Sequence, residues 1–319
     1  MLKMLKTYEK AVNMAVQSAQ LAMILEVSAY PKPGNVHRTA DFKDTKYEHF
    51  LASAVAVLPQ LQKAATMGIK VALTEIKPSQ VGIGALIKEG IVETSRWQRG
   101  GNTNLGILTL IIPLVTATTY TFVKDKDFKK LRENIKPFVE STTPIDAVNF
   151  YEAIKIAKPG GLGKTDYLDV TDPNSIKQIM MQKVSLYEIF EKASSYDKIA
   201  GEWVTSYNIT FEIGYPYLQG VYKETGDVNI AIVHTFLKIL SAIPDTLIIR
   251  KTNLATAQKI SEKAKQILDM GGLTTKRGTK LLWEFDKMLR GKGNKLNPGT
   301  TADLTTSSLM VAILNGLKP

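Results

Sequence analysis

The stretch MLKTYEKAVNMAVQSAQLAMILEV, residues 4–27, determines how the rest of the chain is interpreted. Its apolar side chains recur every three or four residues, at Leu5, Tyr8, Val12, Ala15, Val16, Ala19, Met23 and Val27. Side chains with this spacing lie along one face of an α-helix of about six turns. The stretch therefore predicts a long amphipathic helix.

The same periodicity recurs downstream, whereas strand patterns are nearly absent. Alternating Val, Ile and Thr runs bounded by turns are rare. Pro59 predicts a kink or break, and Thr143 followed by Pro144 is typical of a helix start. Further helical patterns cover residues 47–67, 81–97, 144–158, 175–192, 228–241, 254–270, 279–289 and 301–315. We predict an all-α protein, a single compact domain over residues 1–319 with about ten or more helices.

The composition excludes several classes of chemistry. The chain is 44% hydrophobic, with no cysteine and three histidines, so disulfides, zinc–thiolate sites, iron–sulfur clusters and thiol nucleophiles are excluded. The most apolar run, Leu105–Ala117, falls short of the roughly 18 residues expected of a membrane span. The N-terminus lacks the pattern of a secretory signal. We therefore expect a cytoplasmic protein with no transmembrane helix.

The net charge of +11, from 41 Lys and Arg against 30 Asp and Glu, attracts anions. Nucleic acid, an acidic membrane surface and phosphorylated small molecules are the candidate partners. The positive residues are scattered, and the densest basic segment is residues 274–295. A nucleic-acid site needs basic residues on one face, so we expect small-molecule partners and neither nucleic acid nor membrane. The oligomeric state cannot be predicted from the sequence.

The segment SAYPKPGNVHRTADFKD, Ser28–Asp44, is the first candidate functional loop. Pro31 and Pro33 favour an extended backbone, and Gly34 permits a turn that a side chain would block. Polyphosphates are bound by preordered cationic and amide donors. The segment supplies such donors at Lys32, Asn35, His37 and Arg38.

Two carboxylates end this segment. Asp41 and Asp44 lie three residues apart just before a helix pattern, and hard cations such as Mg²⁺ prefer carboxylate oxygens. They are candidate magnesium ligands. The alternative is a rigid connection between two helices with an aspartate cap.

The second candidate loop is RWQRGGNTNLGI, residues 96–107. The backbone N–H groups at the start of the following helix favour an anion, and the amides of Asn102 and Asn104 suit a ribose or a base edge. The spacing is not that of a Walker motif. The alternative is an ordinary asparagine cap.

The third loop, GKGNKLNPGTTADL, precedes the last helical pattern. Asn297 begins a turn, Thr300 or Thr301 is a candidate cap, and Asp303 lies in the first helical turn, where the helix dipole stabilises a carboxylate. The alternative is a simple capped C-terminal helix. Two further segments carry Asp245 with Arg250, and the evenly spaced Asp166, Asp169 and Asp172, which suit a metal site or a solvated edge.

Carboxylates, amides and cations on several loops indicate chemistry at a nucleotide, through positioning, charge neutralisation and general base catalysis. The motifs PKPGNVHRTADFKDTKYEHFLASA, GGNTNLGI, DTLIIRK and NPGTTADL, in this order, resemble the triphosphoribosyl-dephospho-CoA synthase family. That family is all-helical. It joins ATP to 3′-dephospho-CoA: the 2′-hydroxyl of dephospho-CoA attacks the ribose C1′ of ATP, and adenine leaves.

The resemblance implies roles for the basic and amide side chains. The triphosphate of ATP would be held by Lys32, Arg38, Arg250 and either Lys276 or Arg277. Ribose or adenine would be oriented by Asn35, Asn102 and Asn104.

The resemblance also implies roles for the carboxylates. Asp41, with Asp44, would bind Mg²⁺ or act as the base for the hydroxyl proton. Asp303 would stabilise an oxocarbenium-like ribose. Better-known members carry His-Lys where this chain has Asn104-Leu105. Other readings therefore stay open: a nucleotide enzyme with another acceptor, a phosphotransferase that produces ADP, or a non-catalytic nucleic-acid or nucleotide-binding protein.

Overall fold

The chain folds into α-helices, and no β-strand occurs among residues 2–319, the part that the computed structural model describes, with side chains from residue 6 onward. The predicted all-α class is confirmed. The described residues form sixteen α-helices: α1 (Leu2–Ser28), α2 (Tyr47–Ala56), α3 (Leu58–Ala72), α4 (Ile83–Trp97), α5 (Leu105–Lys124), α6 (Leu131–Glu140), α7 (Pro144–Ala157), α8 (Ser175–Gln182), α9 (Leu186–Ala193), α10 (Lys198–Val204), α11 (Tyr215–Thr225), α12 (Val228–Ala242), α13 (Thr246–Lys251), α14 (Leu254–Asp269), α15 (Lys276–Arg290) and α16 (Gly299–Leu314).

Local signals in the sequence set several helix ends. α2 stops at Ala56 and α3 starts at Leu58, so Pro59 lies in the first turn of a new helix, which confirms the predicted break. Thr143 Oγ1 accepts a hydrogen bond from the Asp146 N–H, and Asp146 Oδ2 accepts one from the Thr143 N–H. This reciprocal pair confirms the predicted start of α7.

Other helix boundaries differ from the prediction. The helix expected over 175–192 is two helices, because Lys183 adopts a left-handed φ of 57° that ends α8. α6, α10, α11 and α13 were not predicted. The last of these is only six residues long, too short for a periodic pattern to separate helix from strand.

The described chain packs as two compact units. The first comprises the chain up to Leu21 together with Ala52–Pro159 and Lys164–Tyr207. Its central element is α5, which packs against α3, α4, α6 and α10. A glycine allows the closest of these approaches: a Cβ at Gly68 of α3 would lie 2.0 Å from Thr116 O of α5. The prediction of a single domain over residues 1–319 stays a prediction.

The second unit comprises Ala22–Leu51, Gly160–Gly163 and Asn208–Pro319. Its central element is α12, which packs against α11, α14 and α16. A π-helix, Ile209–Gly214, leads into α11. This unit carries most of the predicted site residues.

α5 is longer than the apolar run that predicted it. It continues to Lys124, and its twenty residues are long and apolar enough to cross a membrane by length and composition alone. The expectation that the helix at this run would be too short to span a membrane was therefore wrong. Its most apolar window is 78% buried within the structure, so packing against neighbouring helices accounts for the apolar composition.

Candidate functional site

Two side chains of α15, Asp286 and Arg290, anchor the connecting loop, residues 29–46, between α1 and α2. The Gly34 N–H donates to Asp286 Oδ1 at 2.8 Å. Arg290 Nε donates to the same carboxylate at 2.8 and 2.9 Å, and Arg290 Nη2 donates to Asn35 O. Because these hydrogen bonds involve charged groups, they hold the loop more firmly than neutral contacts would.

The turn in this loop requires a glycine, as the sequence predicted. Gly34 has a φ of +72°, and a Cβ there would lie 2.7 Å from Leu289 Cβ and 3.0 Å from Leu296 O. Before the turn, the Asn229 side chain accepts from the Tyr30 N–H at 2.8 Å and donates to Tyr30 O at 2.9 Å. The loop is therefore fixed on both sides of the proline pair.

Lys32 does not project from this loop, which corrects the expectation that it presents its charge to a phosphate. Its side chain is 0% exposed, and Nζ lies 2.5 Å from Glu26 Oε1. Burial lowers the pKa of Lys32, while the charge of Glu26 and, more weakly, that of Asp303 raise it. Burial likewise raises the pKa of Glu26. Lys32 is thus half of a buried ion pair with Glu26.

Asn35 and His37 also point inward. Asn35 is buried, and its Oδ1 accepts from the Val36 N–H at 2.7 Å. His37 is fully buried, with Nδ1 3.0 Å from Thr39 Oγ1 and Nε2 3.6 Å from Asp286 Oδ2. Burial lowers the pKa of His37, and the Asp286 carboxylate opposes this shift. In this conformation both side chains support the loop and do not face solvent.

Beyond the Gly34 turn, the loop exposes Arg38, Thr39, Asp41, Lys43, Asp44 and Lys46. The Arg38 guanidinium stacks over the Tyr30 ring, with Cζ 4.0 Å from the ring centroid. Asp41 Oδ1 accepts from the Tyr47 N–H at 2.8 Å, at the start of α2. One of the two Asp41 oxygens therefore caps α2, as the alternative interpretation of this segment predicted.

Asp245 joins the third and fourth motifs. Its Oδ1 accepts from the N–H groups of Leu247 and Ile248 at the start of α13. Its Oδ2 accepts from the N–H and hydroxyl of Thr301 at the start of α16, both at 2.8 Å. The predicted threonine cap of α16 is therefore corrected: Asp245, which is 2% exposed, supplies the acceptor and sets the position of the helix that carries Asp303.

The remaining predicted cations lie on helix ends. Arg250 is exposed in the last turn of α13, where Gly161 packs against it: a Cβ at Gly161 would lie 3.3 Å from Arg250 Cβ. Lys276 is exposed at the start of α15. Fourteen residues separate it from Arg290, about 21 Å along a helix axis. The structure therefore does not bring Lys276 to the end of α15 that anchors the connecting loop.

The two asparagines of the second candidate loop belong to the first unit, and both make local contacts. Asn102 is exposed, and its Oδ1 accepts from the Leu105 N–H at 3.1 Å, as an ordinary cap does. Asn104 is 2% exposed, and its Nδ2 donates to Thr94 Oγ1 at 2.9 Å. Asn104 Oδ1 is buried without a hydrogen-bond partner. Buried polar atoms usually have a partner, so this oxygen is the atom of the loop whose lack of one needs an explanation. That Asn102 shares a cleft with Lys32 and Asp303 stays a prediction.

The evenly spaced aspartates of the first unit mainly order their own loop. Asp169 accepts from the N–H groups of Thr165 and Thr171, both at 2.6 Å. Asp172 accepts from the Asn174 N–H at 2.8 Å. Among residues 2–319, no group of three or more histidine, aspartate or glutamate side chains is arranged to hold a metal ion.

Sequence reasoning missed Glu26, Asp286, Arg290 and Trp283. Asp286 and Arg290 stand four residues apart in the basic segment 274–295, a spacing that places them on one helix face and offered a usable signal. Glu26 lies in the long amphipathic helix, where its partner is not evident from spacing. Trp283 forms an edge-on cluster with Tyr30 and His37, at 6.4 and 6.2 Å between ring centroids.

These contacts define an all-α protein in which a glycine-turned loop, held by hydrogen bonds to α15, presents three cations and two carboxylates beside a buried ion pair. Such a site suits the binding of a phosphorylated substrate, because the loop is ordered by the protein's own hydrogen bonds before a ligand arrives.

The chain matches the family model described as CitG, ATP:dephospho-CoA triphosphoribosyl transferase, over residues 13–319. It is 24% identical to Protein CitXG of Leuconostoc mesenteroides subsp. cremoris, a match that covers 98% of this chain and 63% of that protein. It is 22% identical to the 2-(5″-triphosphoribosyl)-3′-dephosphocoenzyme-A synthase of Klebsiella pneumoniae, over 91% of this chain and 87% of that enzyme.

A crystal structure from Archaeoglobus fulgidus, assigned to the triphosphoribosyl-dephospho-CoA synthases, has the same fold. It superposes with a TM-score of 0.60 at 25% identity, over 84% of this chain and 100% of that one. The chain belongs to the CitG family of transferases, which confirms the resemblance drawn from the four motifs.

Proposed function

We propose that this protein transfers the triphosphoribosyl group of ATP to the 2′-hydroxyl of 3′-dephospho-CoA and releases adenine. The observation that carries the proposal is the family match over residues 13–319, which includes all four motifs. The pre-ordered connecting loop supports it, because phosphate-binding groups must be held in place before the reaction.

The reaction forms one bond and breaks one. The acceptor oxygen bonds to C1′ of the ribose, the C1′–N9 bond breaks, and adenine leaves with a proton taken up at the ring. The hydroxyl proton passes to a base, and the triphosphate stays on the transferred ribose. Positive charge therefore develops on the ribose, where a nearby carboxylate lowers the barrier.

Asp303 is the carboxylate that we assign to this charge. It is half-buried at the fifth residue of α16, one turn later than the sequence predicted because the helix starts at Gly299, and Asp245 sets the start of that helix. Because Lys32 is fully buried and paired with Glu26, we revise its role from triphosphate ligand to structural residue of the loop, and that of Asn35 to support of the loop.

Arg38 and Arg250 are the exposed cations that we assign to the triphosphate. Stacking on Tyr30 covers one face of the Arg38 guanidinium but leaves its in-plane N–H groups able to donate to phosphate oxygens. Lys276 lies at the opposite end of α15 from Arg290 and the connecting loop. It would reach only a part of the nucleotide that extends away from that loop. Asn102 and Asn104 are proposed to orient ribose or adenine.

Mg²⁺ is proposed to bind through Asp41 and Asp44 together with triphosphate oxygens. Both aspartates are exposed and lie on one loop. Two carboxylates fit an ion that usually keeps water and takes its remaining ligands from phosphates. When bound, the ion would neutralise phosphate charge. Asp41 is also the candidate base for the acceptor hydroxyl. We further propose that the protein is cytoplasmic and that its partners are these small nucleotides.

The direct test is incubation with ATP, Mg²⁺ and 3′-dephospho-CoA, followed by separation of the products. We expect free adenine and an acceptor whose mass increases by the triphosphoribosyl group. ADP in place of adenine would identify a phosphotransferase, and adenine without the mass increase would identify hydrolysis or another acceptor. Either result would overturn the proposal.

Asp41→Asn tests the assigned carboxylate. Asparagine retains the acceptor that caps α2, so the fold is expected to persist, while kcat should fall on the order of a hundredfold or more. Asp227→Asn is the matched control, because Asp227 is also exposed and accepts from the Ile230 N–H at 3.0 Å at the start of α12. Full activity in Asp41→Asn would remove Asp41 from the mechanism.

A further inference from the structure

Trp283 is exposed on α15 next to the connecting loop. Its side chain is 41% exposed, yet it is not an isolated surface aromatic. Tyr30 and His37 contact it with interplanar angles of 62° and 74°. These edge-on contacts hold the indole from one side, so its exposed area lies on the side that they do not cover.

Cationic side chains follow the same face of α15. At 100° per residue, Lys276, Lys280, Lys287 and Arg290 all fall within about 80° of arc that includes Trp283. The three lysines are exposed. Lys276 stands seven residues before Trp283, about 10 Å along the helix axis.

An exposed aromatic ring with cations on either side of it along one helix face fits a nucleotide. Nucleobases stack on tryptophan, and the attached phosphates pair with lysine and arginine. Tyr30, which contacts Trp283, carries a further exposed cation, because the Arg38 guanidinium stacks over its ring at 4.0 Å. A purely apolar partner would leave these charges without compensation.

We infer that Trp283 is the stacking platform for the adenine ring of an adenine nucleotide, whose phosphates lie along the basic face of α15. The inference rests on the proposed function, because both of its substrates, ATP and 3′-dephospho-CoA, carry an adenine ring. Trp283 is a binding residue in this scheme and takes no part in bond making.

Steady-state kinetics distinguish the two nucleotides. Trp283→Ala should raise KM on the order of tenfold for one of them, with kcat nearly unchanged. Trp283→Phe should raise it less, because phenylalanine keeps a ring that can stack. Tyr196→Ala is the control, since Tyr196 is a 50% exposed aromatic residue between α9 and α10 in the first unit, outside the candidate loops, and its loss should leave both KM values unchanged.

Equilibrium binding tests the site without turnover. In Trp97→Phe the tryptophans are Trp283 and the buried Trp203, so quenching of the exposed fluorescence reports on Trp283. We expect quenching by ATP or by dephospho-CoA and none by ribose 5-triphosphate, which lacks the base. A nucleotide that quenches while wild-type protein releases no adenine would support the platform and overturn the proposed function.

Unchanged KM values for both nucleotides in a folded Trp283→Ala protein would overturn the inference. Circular dichroism checks the fold, and if this variant is unfolded, Trp283→Phe and the quenching titration decide the matter. An oligonucleotide that quenches Trp283 more strongly than either nucleotide would also overturn it, in favour of a nucleic-acid site.

Discussion

Glu26 and Lys32 show how burial changes the meaning of a charged residue. Lysine in a proline-rich loop suggests a phosphate ligand, but here the ammonium is enclosed with a carboxylate six residues earlier in the chain. Solvent exposure depends on which helices pack over a residue, so the sequence around Lys32 could not predict it. Gly34 is the opposite case: its left-handed φ was predictable because it is a local steric property.

We expect Glu26→Gln to lower the free energy of unfolding by about 3–5 kcal/mol, because it leaves the Lys32 charge buried and unpaired. Adding Lys32→Met should recover much of this loss. The control is Glu89→Gln, which removes the exposed pair with Lys63, whose side chains are 41% and 50% exposed; it should cost under about 1 kcal/mol. Urea unfolding measures all three, and equal losses for Glu26→Gln and Glu89→Gln would contradict the prediction.

His234 should make stability depend on pH. Its Nε2 accepts from the Leu273 N–H at 2.9 Å, so the neutral ring is the form that fits, and burial lowers its pKa below 6.5. A depressed folded-state pKa means that the stabilisation is complete above pH 6.5 and is lost as pH falls through the folded-state value.

His234→Gln keeps an acceptor that does not titrate. The difference in unfolding free energy between wild type and this variant should therefore shrink as pH is lowered from 8 to 5. Buried His37, whose pKa is also lowered, contributes equally to both proteins and cancels in the difference. A difference that stays constant with pH would show that His234 does not titrate on unfolding.

At the scale of elements, two aspartates each link a pair of helices. Asp146 completes the capping box of α7 with Thr143 and accepts from the Gly84 N–H of α4 at 2.9 Å. Asp245 caps α13 and accepts from Thr301 of α16. The start of α7 was predicted, because Thr143-Pro144 is a local signal, whereas α13 and its cap by Asp245 were not. The second helix that each aspartate contacts could not be predicted, because the two contacting residues lie 62 residues apart for Asp146 and 56 residues apart for Asp245.

Gly68→Ala should lower the free energy of unfolding by about 1–3 kcal/mol, the usual range for overpacking. The added Cβ would lie 2.0 Å from Thr116 O, a backbone atom that cannot move without separating α3 from α5. Gly220→Ala is the control, because nothing lies within 4 Å of its Cβ position in α11; it should stabilise by up to about 1 kcal/mol. Thermal unfolding compares the two, and a neutral Gly68→Ala would contradict this packing.

At the scale of the whole molecule, the net charge of +11 is the property most open to test. Such a field raises the local concentration of polyanions and is screened by salt. We therefore expect KM for ATP to rise severalfold between about 50 and 300 mM NaCl, while kcat stays nearly constant. An uncharged osmolyte at matched osmolarity is the control, and a KM that ignores salt would show that the charge does not assist binding.

The amino-acid sequence by itself determined the helical class, the turn at Gly34, the caps of several helices and the family, because each depends on residue types at short or ordered spacing. Only the tertiary structure decided that Lys32 is enclosed by Glu26, that Asp286 and Arg290 hold the connecting loop, and that Trp283 stands exposed among cations. Helical spacing places Asp286 with Arg290, and Trp283 with the lysines, but their burial and their contacts with the connecting loop arise between segments far apart in the chain, and no local pattern encodes those.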